Sequence, residues 1–212
     1  MQIIFGKSTK LSVKPLFLIH AVFVLAFTFS ACNSTKQIIY SSPVQKVIGS
    51  TIYFKNGKTQ KLASNKAKSP TMIYLVRHAE KANDGTKDPG LIPQGVERSK
   101  RLKNILEKAT INQIYSTNYK RTRLTGQPLA DLLQLPINDY NPRDLSSFAQ
   151  KVKSQHKGQS ILIVGHSNTT PDLINALMGN QQFSHLTEKE YSHLFIVSIP
   201  PKKKPKVLDL QF

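Results

Sequence analysis

The sequence predicts an α/β fold: a three-layer sandwich with a mostly parallel central sheet and a C-terminal antiparallel hairpin. Two short runs, residues 72–76 and 161–164, are apolar at every position, which is typical of strands buried on both faces of a parallel sheet. Helical patterns alternate with the strand-like runs, and this alternation is expected when helices cover both faces of a sheet. Two last strand-like runs, 194–199 and 207–210, are joined by a turn of prolines and lysines and predict the hairpin.

The helices are predicted from apolar periodicity and from residues that begin or end a helix. After the first core strand, a helix is expected over 94–109, with Val96 on its apolar face, and a short strand then ends at Ser116. Three further helices are expected, over 119–133, 144–156 and 170–178. Asp144 is a candidate N-cap, and Gly179 is suited to end the last helix because glycine readily adopts a left-handed conformation.

Composition narrows the class of protein. The chain has 212 residues, a formal net charge of +18 and one cysteine. This length and 39% hydrophobic residues suffice for one globular core. A single cysteine excludes an intrachain disulfide framework and a cysteine-rich zinc site. The basic charge is interpreted as a lysine-rich solvated surface. Basic and aromatic residues are not interleaved as in single-strand-binding proteins, so no nucleic acid partner is expected.

The N-terminus has the pattern of a secretory signal. Three lysines precede an apolar run over 16–29, which is too short to span a bilayer comfortably. Ala31 directly precedes Cys32, and this junction resembles a bacterial lipobox, which implies cleavage before Cys32 and lipidation of its thiol. We therefore expect an exported lipoprotein, anchored to a membrane of a bacterial cell envelope through lipid. An uncleaved anchor and ordinary secretion are the alternatives.

Charged residues come after three of the predicted strands. Arg77 and His78 come directly after the run 72–76, Arg121 is five residues beyond Ser116, and His166 comes after the run 161–164 and one glycine. The carboxyl ends of parallel strands meet at one edge of a sheet, where ligands of α/β proteins bind. The sequence therefore predicts an anion site with a nucleophile candidate in it.

These segments resemble a known family. Residues 75–80 (LVRHAE), 116–125 and 164–168 (VGHSN) resemble, in order, three segments of the histidine phosphatase superfamily, the relatives of phosphoglycerate mutase. The resemblance spans about 71–179 and is strongest to the short, phosphohistidine phosphatase-like branch. It implies a phosphatase that hydrolyses a phosphomonoester or a phosphoramidate through a phosphohistidine. The domains expected are a signal over 1–31, a tether with a small hairpin at Asn56-Gly57 over 32–70, and a catalytic domain over 71–212.

The resemblance implies a role for each of four residues. His78 would attack phosphorus, since a neutral imidazole is a good nucleophile, and its second ring nitrogen should then donate to a backbone carbonyl. Arg77 and Arg121 would hold the phosphoryl oxygens with their planar forks. His166 would donate to the same oxygens, best as imidazolium. Because these cations are side chains, no metal ion or cofactor is expected.

The proton donor for the leaving group stays open. In the mutase branch it is a glutamate after the second arginine segment, and no glutamate lies between Arg121 and His166. Asp139, Asp144 and Glu80 are the candidates. A phosphoramidate, or another good leaving group, would need less help from an acid.

Further residues are candidates for contact with a small phosphorylated substrate, namely Glu80, Asn83 and Ser167. Two other functions compete with the phosphatase. A serine esterase would use Ser167 as nucleophile, with an acid and a histidine from Asp172, Glu188, His185 and His193. The second alternative is a surface lipoprotein that binds phosphorylated ligands without turnover.

Overall fold

The structure is a computed structural model that describes residues 42–62 and 69–212. Its strands are β1 (Val44–Ile48), β2 (Thr51–Phe54), β3 (Thr59–Lys61), β4 (Thr71–Arg77), β5 (Ile111–Ser116), β6 (Ile137–Asp139), β7 (Ser160–Gly165), β8 (His193–Ile199) and β9 (Lys206–Gln211). Its helices are α1 (Pro93–Leu106), α2 (Lys120–Leu133), α3 (Leu145–Gln155) and α4 (Thr169–Met178).

The central sheet has six strands in the order β6-β5-β7-β4-β8-β9. The first four are parallel to one another, whereas β8 pairs antiparallel with β4, and β9 pairs antiparallel with β8. All seven residues of β4 are buried, as expected of a central strand covered on both faces. The predicted fold, a mostly parallel sheet with a C-terminal antiparallel hairpin, is therefore confirmed.

Helices cover both faces of this sheet. Apolar side chains of α1 and α2, including Leu102 and Leu129, pack in one cluster with Tyr74 and Val76 of β4. Side chains of α3 and α4, such as Val152 and Leu173, belong to a second cluster on the opposite face. Alternate residues of β4 enter opposite clusters because successive side chains of a strand point to opposite faces. The carboxyl ends of the parallel strands are left free of the helix layers.

A separate three-stranded sheet, β1-β2-β3, packs against the α1 side of the core. Its β2–β3 hairpin turns at Asn56-Gly57, as predicted, and Gly57 has a φ of 79° that suits glycine. Strand β1 is not anticipated by the sequence. Val44 and Val47 of β1 belong to the same apolar cluster as α1, and the amide of Gly49 donates to the carbonyl of Lys108.

Local differences from the predictions have simple causes. Strand β6 is not among the predicted strands, because three residues at a sheet edge carry little periodic pattern. Val96, predicted on the apolar face of α1, is 39% exposed because it lies in the first turn of the helix. The N-cap prediction holds, since the Asp144 carboxylate accepts a hydrogen bond from the Ser147 amide.

The predicted signal, Cys32 and the first part of the predicted tether lie outside the described residues. Within 42–62 and 69–212, none of the helices has the length and apolar character needed to cross a membrane.

Candidate active site

Strand register brings the predicted site residues together. Arg77 at the end of β4 is opposite Gly165 at the end of β7, and the His78 amide donates to the Gly165 carbonyl at 2.9 Å. The ring centroids of His78 and His166 are 5.6 Å apart. Beyond these strand ends lies a cleft of about 580 Å³. It is lined by Arg77, His78, Lys81, Tyr119, Arg121, Pro142, Arg143, His166, Ser167, Asn168, Thr169 and Glu188.

His78 has one ring nitrogen engaged and one available. Its Nδ1 lies 2.8 Å from the carbonyl oxygen of Ala79. A carbonyl only accepts, so Nδ1 carries the hydrogen and Nε2 keeps its lone pair. Burial, with a smaller effect of the charges of Arg77 and Arg121, lowers the pKa of His78 to about 3, against the raising effect of the Ala79 hydrogen bond. The imidazole is therefore neutral near pH 7, with the orientation that the sequence predicts for a nucleophile.

His166 is oriented by a chain of hydroxyls. The Thr122 hydroxyl donates its hydrogen to the Thr117 carbonyl, so its oxygen is left to accept from the Thr117 hydroxyl. The Thr117 hydroxyl oxygen in turn accepts a hydrogen bond from His166 Nε2 at 2.9 Å. Burial is the main cause, and the charges of Arg121 and Arg77 the lesser cause, that lower the pKa of His166 to about 4. In the free protein His166 is thus neutral, with its hydrogen on Nε2 and directed at the Thr117 hydroxyl oxygen. It can donate to a bound anion through the other ring nitrogen once it is protonated.

Arg77 is held by contacts with residues 187–191, a segment that no sequence motif links to it. Its Nη1 donates to the carbonyls of Thr187, at 2.6 Å, and of Glu190, at 3.3 Å. Its Nη2 donates to Glu188 Oε2 at 2.9 Å, and its Cζ lies 4.2 Å from the centre of the Tyr191 ring. Glu188 therefore occupies part of the arginine fork in the free protein.

Arg121 is less fully engaged. It lies in the first turn of α2, its Cζ is 4.5 Å from the centre of the Tyr119 ring, and its Nη1 is 3.8 Å from Asp88 Oδ1. Its Nε is buried and has no hydrogen-bond partner among the described residues. The Thr125 hydroxyl donates to the Arg121 carbonyl and accepts from the Ala79 amide, which ties this turn of α2 to the His78 loop. Arg121 thus has donors to spare for an anion.

The electrostatics of the cleft favour an anionic ligand. Its lining includes four permanent cations and one carboxylate, Glu188. Guanidinium forks match the oxygens of a phosphoryl group. Among residues 42–62 and 69–212, no cluster of three or more histidine, cysteine, aspartate or glutamate side chains is placed to hold a metal ion.

Two of the predicted substrate contacts lie elsewhere. Ser167 lines the cleft, but the exposed Asn83 and the buried Glu80 do not. Both oxygens of Glu80 accept hydrogen bonds from Arg98, at 2.7–3.0 Å. Burial acts to raise the pKa of Glu80, yet the Arg98 hydrogen bonds outweigh it and the pKa is lowered. Glu80 therefore fixes the loop after His78 and is unsuited to give up a proton, contrary to the prediction that made it a candidate donor.

The two aspartates predicted as proton donors are also outside the cleft lining. Asp139 forms an ion pair with Arg123, and Asp144 caps α3. Glu188, which does line the cleft, is predicted from sequence only as part of an esterase. Glu188 lies after His166 in the sequence, whereas the resemblance to the family places a proton donor between Arg121 and His166.

The predicted esterase partners do not assemble around Ser167. His185 Nε2 lies 3.1 Å from Asp172 Oδ1, and His193 Nδ1 lies 2.7 Å from Asp209 Oδ1. Both histidines thus face acids and not Ser167, and no hydrogen bond joins either of them to its hydroxyl within the described part of the chain.

Comparisons with known proteins agree with this geometry. The sequence model of the histidine phosphatase superfamily (branch 1) matches residues 73–141, a segment that includes Arg77, His78 and Arg121 and ends before His166. No curated protein matches the chain in sequence. The matched segment covers about a third of the chain, and it carries three of the four predicted site residues.

Three of the solved structures that share the fold are phosphatases by their names. The protein histidine phosphatase SixA, complexed with tungstate, superposes with a TM-score of 0.54 at 18% identity, over 66% of this chain and 96% of that one. A mycobacterial glucosyl-3-phosphoglycerate phosphatase gives 0.53 at 13% identity, over 67% and 99%. Phosphoserine phosphatase from Entamoeba histolytica, with phosphoserine, gives 0.51 at 12% identity, over 65% and 94%. The fold of this chain is therefore that of the histidine phosphatases.

The neutral histidines predict a pH-dependent stability. Both pKa values are lowered on folding, from 6.5 to about 3 for His78 and about 4 for His166, so the unfolded chain binds more protons between these values. Their contribution is complete above pH 6.5 and declines as the pH falls below it, by at most about 1.4 kcal/mol per pH unit for each group. Urea unfolding at pH 7.5 and 5.0 checks this. His78→Gln should lose less stability on acidification than the wild type, whereas exposed His185→Gln should not differ from it.

Proposed function

We propose that this protein is a metal-independent histidine phosphatase of the short, phosphohistidine phosphatase-like branch. It hydrolyses a phosphomonoester or a phosphoramidate through a phosphohistidine on His78. The observation that carries the proposal is the hydrogen bond from His78 Nδ1 to the Ala79 carbonyl. It leaves the lone pair on Nε2 of a neutral imidazole in a cleft lined with arginines, where a phosphoryl group would be held.

In the first step the phosphoryl oxygens lie on the guanidinium groups of Arg77 and Arg121, and His78 Nε2 attacks phosphorus. The N–P bond forms as the bond from phosphorus to the leaving group breaks. The arginines balance the negative charge on the equatorial oxygens, which is the main requirement of a loose phosphoryl-transfer transition state. His166 adds a donor after it takes up a proton, which the dianion favours.

In the second step water attacks phosphorus from the side that the leaving group has vacated. The bond to Nε2 breaks, its electron pair returns to the ring, and inorganic phosphate leaves. Throughout, the Ala79 carbonyl keeps the hydrogen on Nδ1 and stabilises the positive charge of the phosphorylated ring.

The expected substrate is a small phosphorylated molecule. The three structural neighbours act, by their names, on phosphohistidine, a phosphorylated amino acid and a phosphorylated sugar acid. The cleft of about 580 Å³ suits ligands of this size.

The proposed location is the bacterial cell envelope, with lipid on Cys32 as the anchor. The basic flank, the apolar run and the cysteine after Ala31 support it. A mass spectrum of the mature N-terminus should show acylated Cys32. An unmodified Cys32 would contradict the anchor and leave the phosphatase proposal intact.

The test of the phosphatase is turnover of p-nitrophenyl phosphate and of phosphoramidate by the purified chain, together with rapid acid-free quenching to trap phosphate on the protein. We expect turnover and a base-stable, acid-labile phosphoryl group on His78. Binding of inorganic phosphate without turnover of either substrate would indicate the non-catalytic ligand-binding protein. Labelling of Ser167 by a fluorophosphonate would indicate the esterase.

A further inference from the structure

We propose that Glu188 protonates the leaving group in the first step and accepts a proton from the attacking water in the second. The inference rests on the proposed function, since it assigns the one role in that mechanism left without a residue. Glu188 carries the only carboxylate among the side chains that line the cleft in the described part of the chain.

Its position relative to the nucleophile fits an acid. Both residues line the cleft, but His78 is 3% exposed, whereas the Glu188 side chain is 77% exposed. An in-line displacement places the leaving group on the far side of phosphorus from Nε2, and therefore away from the buried histidine. We expect the leaving oxygen on the more exposed side of the phosphoryl group, where an exposed carboxyl group can reach it.

The contact with Arg77 links the position of the Glu188 side chain to substrate binding. In the free protein the carboxylate accepts from Arg77 Nη2 at 2.9 Å. A phosphoryl oxygen uses the same donor, so a bound substrate displaces the carboxylate from the arginine. The displaced carboxyl group is then free of Arg77 and can reach the leaving oxygen. Substrate binding therefore releases Glu188 for proton transfer.

The rest of the segment stays in place during this exchange. Arg77 Nη1 binds the carbonyls of Thr187 and Glu190, and the Thr187 amide donates to Glu190 Oε2 at 2.6 Å. The Leu186 amide donates to the Ser167 carbonyl at 2.9 Å. These contacts do not use the Glu188 side chain, so its carboxyl group can move while the backbone that carries it remains fixed.

The proton balance closes over the two steps. As His78 Nε2 bonds to phosphorus, the bond to the leaving oxygen breaks, its electron pair stays on that oxygen, and the oxygen takes the proton of Glu188. In the second step the carboxylate removes a proton from water as the water oxygen bonds to phosphorus and the N–P bond breaks. The products are the alcohol and inorganic phosphate, and Glu188 is protonated again until phosphate leaves.

The experiment compares a poor with a good leaving group. Glu188→Gln keeps the size of the side chain but cannot donate an acidic proton. Its kcat on glycerol phosphate, whose alkoxide leaves poorly, is expected to fall by about 10²- to 10⁴-fold. Its kcat on p-nitrophenyl phosphate is expected to change by less than about tenfold, because that leaving group needs little protonation. Glu97→Gln, an exposed glutamate on α1 outside the cleft, is the matched control and should behave as wild type.

Each other outcome contradicts the assignment in a recognisable way. Equal losses on both substrates would give Glu188 a structural role, and unchanged rates would give it none. Higher rates on both, with tighter binding of inorganic phosphate, would show that Glu188 only competes for Arg77. A wild type that turns over p-nitrophenyl phosphate but not glycerol phosphate has no effective acid, which overturns this inference alone. A wild type that turns over neither, and forms no phosphohistidine, overturns the proposed function and this inference with it.

Discussion

His78→Ala should abolish turnover of phosphoesters and phosphoramidates alike. The lone pair of His78 Nε2 is the nucleophile in the proposed reaction, whereas His166, the other imidazole that lines the cleft in the described structure, is assigned the role of a donor to the phosphoryl oxygens. Loss of the nucleophile removes the covalent route, so the rate should fall below detection. The variant should still bind inorganic phosphate, because Arg77 and Arg121 are unchanged.

The measurement is a steady-state rate together with protein-bound phosphate after quenching. His185→Ala is a matched control, because His185 is an exposed histidine that pairs with Asp172 outside the proposed mechanism. It should keep wild-type activity. Residual activity in His78→Ala above a few per cent would refute the phosphohistidine mechanism. Loss of activity in His185→Ala with retention in His78→Ala would instead favour the esterase.

Arg121→Ala should lower kcat/KM by about 10³- to 10⁵-fold, as removal of an arginine does in other phosphoryl transfers. The Arg121 side chain is 15% exposed, its Nε has no partner in the described structure, and its nearest acid is 3.8 Å away. Little of its hydrogen-bonding capacity is used by the protein itself. The loss should therefore appear in catalysis and much less in the free energy of unfolding.

Two further variants separate charge from geometry. Arg121→Lys keeps the positive charge but lacks the planar fork, so it should recover only part of the lost activity. Arg123→Ala removes an arginine from the same helix turn whose partner is Asp139 at the surface, and it should leave kcat/KM near the wild-type value. Equal losses in Arg121→Ala and Arg123→Ala would mean that the general charge of α2 matters, and not a specific clamp.

The parts of the site that could be predicted are those carried by strand ends. Arg77, His78 and His166 lie at or just beyond the ends of buried apolar strands, and the carboxyl ends of parallel strands meet at the same edge of a sheet. Their meeting in the cleft can therefore be predicted without knowledge of side-chain packing. A bond from one ring nitrogen of His78 to a backbone carbonyl was also predicted, because a nucleophile must present its other nitrogen; that the acceptor is Ala79 is shown only by the structure.

The parts that could not be predicted depend on contacts distant in sequence. The position of Glu80, two residues after His78, suggests contact with substrate, but Arg98 of α1 donates hydrogen bonds to both of its carboxylate oxygens. Glu188 reaches Arg77 across 111 positions of sequence, through an irregular segment with no periodic pattern. Strands β1 and β6 were not predicted because neither shows the alternation of a strand. The buried residues of β1, Val44 and Val47, are three positions apart, and β6 has three residues, none of them fully buried.

Because β1 packs against α1, only a short segment separates the packed core from the proposed lipid anchor. If lipid holds Cys32 at a membrane, as we propose, nine residues separate it from Ser42, the first residue described. A chain extends by no more than about 3.5 Å per residue, so Cys32 and Ser42 can be at most roughly 35 Å apart. The described part of the chain would then stay close to the surface of the membrane that carries the anchor.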